Sequence, residues 1–426
     1  MKTIVFLGVN KFGSSREAIK VAKQLGYYTI LLTNHPKHIE QRHEYTDVDQ
    51  MIKCDLSDYD RLYQLIKEFQ QEEYDVKAIL SFIDPWCGQA SKLAEAFNLH
   101  AFSTNSIFKM LDKSKSRKIL DTTPFNPYYI TLTDPEDIDL YHIDRMLPVV
   151  VKLSQSNGSK DVYLCHTLDE FNSNIDLLKD RINEKNPLII EEYLEGQQYL
   201  VETLVINNEV YIIAIMEQTI EYINGHFIVT GYNMIHHYTR MFYRSLRDAI
   251  TWILDEFNFT HGPCHFELRR TRGTWKLIEV NPRVSGSGMN HFVQEATGIN
   301  IVKETLKLAL NKEVDLTPTK QKYVYAKYRV VNETGILEKV TGKNRAMRSP
   351  GVLKVFVRPR KGHLLNPPTS MGHRYAIVMA EGRSPRDARY NAEYAMDHIT
   401  FHLLPLQDEQ DEPINDSDTA NETNLT

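Results

Sequence analysis

The sequence has few cysteines, no long apolar run and no excess of one charge, and each shortage disfavours a class of protein. Its 426 residues include four cysteines, none in a CxxC pair, which argues against a disulfide scaffold and fits a reducing compartment. No stretch approaches the roughly 20 apolar residues that span a bilayer, and the apolar stretch before Gly8 is too short for the core of a signal peptide. Basic residues number 50 and acidic residues 56, so neither nucleic acid nor membrane lipid is an expected partner. We predict a cytoplasmic protein, monomer or homodimer, that acts on small molecules.

The first part of the chain alternates apolar strands with amphipathic helices. The predicted strands are "TIVFLG", "YYTILLT" and "VKAILSFID", and the predicted helices are "SSREAIKVAKQLG", "SDYDRLYQLIKEFQ" and "CGQASKLAEAFNL". This order predicts a Rossmann-like parallel α/β domain over residues 1–112. The turn "GVNKFGSS" lacks the Lys-Ser/Thr of a P-loop and the third glycine of a dinucleotide fingerprint. We therefore interpret it as a tight strand-to-helix turn rather than a nucleotide site.

Longer strands with helices between them continue to about residue 320, among them "LPVVVKLS", "PLIIEEYL", "YLVETLVI" and "VYIIAIME". Beyond them, "KYVYAKYRVV", "GVLKVFVRP" and "RYAIVMAEG" alternate at period two. That alternation predicts a C-terminal α+β region, residues 321–405, whose sheet has one solvent-facing side. Residues 406–426 are acidic and nearly free of apolar side chains, which is typical of a disordered tail.

The stretch "LIEVNPRVSGSG" places polar side chains where an apolar strand ends. Glu279, Asn281 and Arg283 stand at alternate positions, so they share one face. Glu267, in "CHFEL", lies on the preceding strand, and "RRTRGTW" is a suitable hairpin turn between the two. Two carboxylates and an amide are hard oxygen ligands for Mg²⁺, and Arg283 can bind phosphate or carboxylate oxygens as a fork. Spacing alone leaves open a surface acid pair beside a structural Asn-Pro turn.

The segment "LPVVVKLSQSNGSKDV" places Lys152 at the end of an apolar strand and before a loop of small residues. Ser154, Ser156, Gly158 and Ser159 lie in this loop, whose backbone amides are suited to bind phosphate while the lysine adds a point charge. Farther along, "PLIIEEYLEGQQYLVETL" has a short polar turn between two strands, which is typical of a hinge that meets an adenine edge. Each signal is weak alone, because many strands end in lysine and many loops contain serine and glycine.

Taken in order, Lys113, "VVKLSQSNGSKDV", "IIEEYLEG", "HFEL" and "LIEVNPRVSGSG" resemble the ATP-grasp superfamily. The resemblance covers roughly residues 1–310, and its most specific piece is E-x-N-P-R after an upstream glutamate. The C-terminal portion, with Gly335 and "GHLLNPPTSMGHRYAIVMAEGRS", is similar to that of the bacterial L-amino acid ligases, which join two unprotected amino acids. The resemblance implies an N-terminal Rossmann-like domain (1–112), an ATP-grasp fold (113–320, with a lid subdomain in 113–190) and a C-terminal α+β extension (321–405).

The resemblance also implies ATP and Mg²⁺ as cofactors, with Mn²⁺ possible, and it assigns roles to the matching positions. The implied cofactor contacts are Lys113, Lys152, Ser154, Ser156, Gly158, Ser159, Glu191, Glu192, Tyr193, Leu194 and Glu195. The implied metal ligands are Glu267, Glu279 and Asn281, and the implied catalytic residues are Lys152, Arg283 and Gly286. The expected substrate contacts are Asp84, Pro85, Glu217, Arg283, Gly286 and Ser287.

The implied reaction activates an amino acid as an acyl-phosphate and joins it to a second amino group, giving a dipeptide, ADP and phosphate. The alternatives are an ATP-grasp carboxylase of the biotin-carboxylase or purine type, and a ligase for another carboxylate. Biotin carboxylases carry a His-x-x-x-Glu region after the hinge, which "EGQQYLVETLV" lacks. A zinc site at His261, Cys264 and His265 is disfavoured, because Pro263 breaks the helical spacing and no second ligand pair follows.

Overall fold

The computed structural model describes residues 1–156 and 158–406, so all but the first residue of the predicted acidic tail lies outside the described residues. The N-terminal sheet is parallel, as predicted, with strand order β3-β2-β1-β4. Its elements are β1 (Lys2–Leu7), α1 (Ser14–Gln24), β2 (Tyr28–Thr33), α2 (Pro36–Glu40), β3 (Gln50–Lys53), α3 (Tyr59–Gln71), β4 (Asp75–Leu80) and α4 (Trp86–Ala96). Alternate side chains of β1 enter two different apolar clusters, Ile4 and Phe6 one and Val5 and Leu7 the other, so both faces of the sheet are buried.

A separate antiparallel sheet with strand order β5-β8-β6-β7 falls mostly within the region predicted to hold a lid, and we call this sheet and its helices the lid. Its elements, with two preceding helices, are α5 (Thr104–Met110), α6 (Lys113–Ile119), β5 (Tyr129–Leu132), α7 (Leu140–Met146), β6 (Val149–Leu153), β7 (Val162–Cys165), α8 (Leu168–Leu178) and β8 (Leu188–Glu192). In the β6–β8 ladder, Lys152 lies opposite Ile189 and Val150 opposite Glu191. Lys152 and Glu191 are therefore diagonal neighbours on one face of the lid.

An eight-stranded sheet with order β13-β12-β9-β10-β11-β14-β18-β16 forms the centre of the molecule. Residues 197–309 contribute to this region β9 (Gln197–Ile206), β10 (Glu209–Ile223), β11 (His226–Met234), α9 (Arg240–Phe257), β12 (Gly262–Thr271), β13 (Thr274–Asn281), α10 (Met289–Thr297) and α11 (Ile301–Ala309). The predicted hairpin is present: β12 and β13 pair antiparallel, with Glu267 directly opposite Glu279 and His265 opposite Asn281. The two carboxylates are thereby held together at the end of the hairpin away from its turn.

Three C-terminal strands, β14, β18 and β16, continue this same sheet, while β17, β15 and β19 form a small separate sheet. Their elements are β14 (Tyr323–Arg329), β15 (Gly335–Thr341), α12 (Lys343–Met347), β16 (Val352–Val357), β17 (Leu364–Leu365), β18 (Ala376–Gly382), α13 (Pro385–Met396) and β19 (Thr400–Leu404). The expected solvent-facing side is wrong for β18, because every residue from Ala376 to Ala380 is buried. Ile377 and Met379 pack into the main core, whereas Ala376 and Val378 pack into the cluster that α13 covers. Among the described residues, no helix combines the length and apolarity that crossing a membrane requires.

Candidate active site

A cavity of about 190 Å³ lies between the lid, strands β9 to β13 and the C-terminal region. The predicted site residues that line it are Lys113, Lys152, Ser156, Gly158, Ser159, Glu191, Glu192, Tyr193, Leu194, Glu267, Glu279, Asn281, Arg283, Gly286 and Ser287. They come from positions far apart in the chain, including α6, the lid, the hinge after β8, the β12–β13 hairpin and the Ser-Gly loop. The structure thus gathers most of the predicted set around one space.

Glu191 is the centre of a buried ion network on the lid side of this cavity. It accepts from Arg117 Nε at 2.6 Å through Oε1 and from Lys152 Nζ at 2.8 Å through Oε2. All three side chains are at most 6% exposed. Burial acts to raise the pKa of Glu191, but Arg117 and then Lys152 outweigh it and lower the pKa to about 2. Its side chain therefore positions two cations, whereas the sequence had placed Glu191 only beside the adenine.

Lys152 is the surplus cation of this network, because one carboxylate serves two basic side chains. Burial is the main cause that lowers the pKa of Lys152 to about 8, against the attraction of Glu191, and Arg117 and Lys113 lower it further. Lys113 Nζ lies 2.8 Å from Glu279 Oε1 and donates to the backbone oxygen of Ser156 at 2.5 Å. The lid side of the cavity is therefore positively charged, and Lys113 ties the loop after β6 to the hairpin.

The paired hairpin carboxylates have opposite proton affinities. Burial, and then the charge of Glu279, raises the pKa of Glu267 to about 7. Burial also acts to raise the pKa of Glu279, but Lys113 and then Lys152 outweigh it and lower the pKa to about 2. Gln198 donates to Glu267 Oε2 at 3.0 Å, which holds that carboxyl group in place. One acid is thus charged at neutral pH, while its neighbour sits near its titration midpoint.

His265 orients the amide of Asn281. Burial and then Arg283 lower the pKa of His265 to about 4, so the ring is neutral at pH 7. Its Nδ1 lies 2.9 Å from the backbone oxygen of Arg283, which requires Nδ1 to carry the proton. The unprotonated Nε2 then accepts from Asn281 Nδ2 at 3.3 Å, and this leaves the Asn281 amide oxygen for the cavity. Glu267, Glu279 and Asn281 therefore present oxygen atoms to one space.

The side chain of Arg283 is held in place by Asp84 of the N-terminal domain. Its Nε donates to Asp84 Oδ2 at 2.7 Å, its Nη2 donates to the same oxygen, and both side chains are buried. Asp84 sits in the segment that follows β4, so this ion pair joins the N-terminal sheet to the loop after β13. Beyond it, Ser285 donates from its backbone nitrogen and its hydroxyl to buried Glu202, which fixes the start of the Ser-Gly loop.

The hinge after β8 is fixed by Arg269. Its Nη2 donates to Gln198 Oε1 at 2.6 Å, and its Nη1 donates to the backbone oxygen of Leu194. Glu192 accepts from the backbone nitrogen of Tyr128 at 2.8 Å, and Tyr193 lines the cavity. Because Gln198 also binds Glu267, one chain of contacts runs from the hinge to the paired carboxylates.

Five predicted site residues do not line the cavity. Ser154 is buried, and its Oγ lies 3.5 Å from Asn186 Oδ1. Glu195 and Pro85 are exposed, and the carboxylate of Asp84 binds Arg283. Glu217 accepts a hydrogen bond from Asn233 at 3.3 Å. On the neighbouring strand it lies opposite Tyr199, which packs in the apolar cluster that includes the buried face of α9. Alternation along β10 directs the next residue, Gln218, toward Glu267.

The comparisons with known proteins follow the same three parts. Residues 19–100 match the ATP-grasp N-terminal domain, residues 145–291 the ATP-grasp domain, and residues 327–403 the L-amino acid ligase C-terminal domain 2. The resemblance found in the sequence is thereby confirmed, because the chain matches ATP-grasp domains and a C-terminal domain of L-amino acid ligases.

Individual relatives are distant. The chain is 19% identical to the L-arginine-specific L-amino acid ligase of Bacillus subtilis over 242 residues, which are 56% of this chain and 58% of that protein. The crystal structure of an L-amino acid ligase from Bacillus licheniformis superimposes with a TM-score of 0.79 at 20% identity, over 95% of this chain and 99% of that one. Phosphoribosylglycinamide synthetase from Anaerococcus prevotii superimposes at 0.69 and 14% identity, over 95% and 100%. Identities this low show the shared fold.

Proposed function

We propose that the protein is an ATP-dependent L-amino acid ligase that joins two amino acids into a dipeptide and forms ADP and phosphate. The observation that carries this proposal is the cavity itself, where two lysines, two opposed carboxylates and a Ser-Gly loop face one space. A carboxylate is a poor electrophile at neutral pH, and phosphorylation by ATP converts it to a reactive acyl-phosphate. The match of residues 327–403 favours this reaction over that of the purine-type neighbours.

In this proposal, the lid side holds the nucleotide. Lys113 and Lys152 would bind phosphate oxygens, because their cluster carries more positive than negative charge. The loop with Ser156, Gly158 and Ser159 would cover the phosphates with its backbone amides. The hinge residues Glu192 to Leu194 would meet the adenine edge, since they line the cavity beside the lid.

The paired carboxylates fit a hard divalent cation such as Mg²⁺. Glu267 and Glu279 lie directly opposite each other, and Asn281 adds an amide oxygen that His265 has oriented. Two carboxylates and one neutral oxygen leave coordination positions for phosphate oxygens and water, as Mg²⁺ prefers. When bound, the metal would neutralise charge on the transferring phosphoryl group. Lys113 contributes by keeping Glu279 ionised and in place.

The acyl-phosphate would form and react beside the Ser-Gly loop. Arg283 would hold oxygens of the activated carboxyl group, with its own orientation set by Asp84. Backbone amides near Gly286 would stabilise the oxyanion that forms when the second amino group attacks, and phosphate then leaves. The covering loop and the C-terminal region would keep water from the intermediate.

Phosphate release from Mg-ATP tests the proposal, measured with the twenty amino acids singly and in pairs and combined with mass spectrometry of the products. We expect release to need amino acids and to yield ADP with a dipeptide mass. Glu279→Gln should abolish release, while the exposed Glu209→Gln on β10 serves as the matched control and should leave it unchanged. Release driven by bicarbonate, or none with any amino acid, would overturn the dipeptide assignment.

A further inference from the structure

One buried cation in the cavity comes from the C-terminal domain and was not anticipated. Arg374 precedes β18, is 3% exposed and lines the cavity together with Met371. Its guanidinium lies 4.0 Å from the centre of the Tyr328 ring, and its Nη2 donates to the hydroxyl of Ser287 at 3.2 Å. The C-terminal domain therefore reaches directly into the Ser-Gly loop.

Arg374 differs from two other buried cations that line the cavity, Lys152 and Arg283, in lacking a carboxylate partner. Lys152 has Glu191 and Arg283 has Asp84, but within residues 1–156 and 158–406 no acidic oxygen pairs with Arg374. Its hydrogen-bond partners are neutral, namely the backbone oxygens of Met371 and Val229 and the hydroxyls of Ser287 and Tyr232. The charge of Arg374 also acts to lower the pKa of Glu267, but the two side chains form no ion pair. A buried charge normally has an opposite charge, so the missing anion is expected from a bound molecule.

The guanidinium retains donors for such an anion. Arginine has five N–H groups, and the recorded hydrogen bonds from Nε, Nη1 and Nη2 use three of them. The other two N–H groups are on the terminal nitrogens, the donors that bind carboxylate oxygens, and the neutral Tyr232 hydroxyl also meets the guanidinium. Stacking on Tyr328 and the contacts to Met371 and Val229 hold the group in one orientation, so little side-chain freedom remains to be lost on binding.

We propose that Arg374 binds the carboxylate of the amino acid that supplies the amino group, an inference that rests on the proposed ligase function. A dipeptide ligase handles two carboxylates with opposite fates, because one is phosphorylated and the other must stay intact. An arginine at Ser287 holds the second carboxylate away from the phosphoryl donor and directs the amino group of that substrate toward the activated carbon.

The position of Arg374 favours this carboxylate over the phosphates of ATP. Lys113 and Lys152 lie together on the lid side, beside Glu279 and Glu191, whereas Arg374 contacts Ser287 on the substrate loop. The same C-terminal turn also meets the covering loop, since the backbone nitrogen of Met371 donates to the oxygen of Gly158 at 3.0 Å. The second substrate would thus be bound where the covering loop meets the C-terminal domain.

The test compares Arg374→Gln with wild type in two assays that share the activation step. Hydroxylamine traps an acyl-phosphate as a hydroxamate and carries no carboxylate, so its use bypasses the proposed contact. We expect hydroxamate formation to stay within about twofold, while KM for the amine-side amino acid rises roughly 10- to 100-fold, as for loss of a charged hydrogen-bonded pair. With amino acid amides as amine donors, Arg374→Gln and wild type should have similar KM values, because an amide has no carboxylate for Arg374 to bind.

Arg358→Gln is the matched control, because Arg358 donates to the backbone oxygens of Gly372 and Arg374 without lining the cavity. An equal rise in KM for Arg358→Gln would assign the effect to the turn and overturn the proposal, as would an unchanged KM in Arg374→Gln. If Arg374→Gln has the same melting temperature as wild type but forms no hydroxamate, Arg374 would be assigned to the phosphoryl group, and the proposal would be overturned.

Two further measurements keep the test decisive if Arg374→Gln misfolds or if the proposed ligase function is itself wrong. Arg374→Lys retains the charge but not the fork, and an intermediate KM is expected. Wild type itself must prefer free amino acids to their amides as amine donors, and equal use of both would overturn the proposal. Absence of hydroxamate from wild type with every amino acid would instead refute the ligase function on which the inference depends.

Discussion

Replacing Lys152 with methionine is expected to stabilise the fold while abolishing ligase activity. Lys152 is 5% exposed, and its partner Glu191 already has Arg117, so the cluster carries one surplus charge. Burial is the main cause that lowers the pKa of Lys152 from 10.5 to about 8. A lowering of this size disfavours the charged lysine in the folded state by roughly 3 kcal/mol at neutral pH. The free energy of unfolding should therefore rise by up to about 3 kcal/mol, as when other buried ionic groups are replaced by apolar ones.

The pH dependence identifies the cause of this gain. A lysine titrates near 10.5 in the unfolded chain and Lys152 near 8 in the folded one, so between these values the unfolded state binds more protons. The stability of wild type then rises with pH in that interval. Below it the cost of the charged lysine is complete, and above it both states are neutral. The advantage of Lys152→Met should be greatest at pH 7 and should shrink between pH 8 and 10.5.

Urea unfolding followed by tryptophan fluorescence at pH 7, 8, 9 and 10 measures this difference. Lys179→Met is the matched control, because Lys179 lies in the same lid, is 52% exposed and pairs with Asp176. Its free energy of unfolding should change by less than about 0.5 kcal/mol. A destabilised Lys152→Met at pH 7, or a gain that does not shrink with pH, would refute the reasoning.

Three further outcomes follow from buried groups and backbone positions. Burial raises the pKa of Glu202 from 4.5 to about 7, so wild type loses stability as pH rises through that interval. The melting temperature of Glu202→Gln should therefore exceed that of wild type at pH 8 and match it near pH 4. Asp84→Asn leaves Arg283 buried without its carboxylate and should lower the free energy of unfolding by about 3–5 kcal/mol, so an unchanged urea midpoint would contradict the pairing. Gly196→Ala should melt at a lower temperature than Gly225→Ala, because both positions have positive φ but only the Cβ at Gly196 would clash, 2.2 Å from a backbone oxygen.

The paired carboxylates were predictable because their contact is local. Glu267 and Glu279 lie on consecutive strands, so strand periodicity and a turn signal were enough to place them face to face. Arg117 was missed although a signal existed, since it lies four residues after Lys113 and thus on the same face of α6. Arg374 offered no such signal, because its contact with Ser287 spans 87 residues of chain. Only the folded sheet reveals which distant side chains complete the cavity.

Misplaced predictions have equally specific causes. Glu217 was an expected substrate contact, but a shift of one position along a strand reverses the face, and Gln218 points toward Glu267 instead. The one-sided pattern expected for β18 came from period-two alternation, which does not show which sheet a strand joins. Because β14 pairs with β11 and β18 pairs with β14, β18 becomes an interior strand with α13 on one side and the main core on the other.

The continuous sheet has a consequence for synthesis of the chain. One edge of β11 pairs with β10 and the other with β14. When the ribosome has completed β11, at residue 234, the second edge has no partner until β14 emerges from residue 323 onward. Unpaired strand edges are templates for wrong pairing between chains. The C-terminal domain therefore acts during translation as the cap of an open sheet. Chimeras that exchange this domain between relatives must preserve the β11–β14 pairing, Gly231 to Asn233 against Tyr325 to Lys327, or leave that edge open.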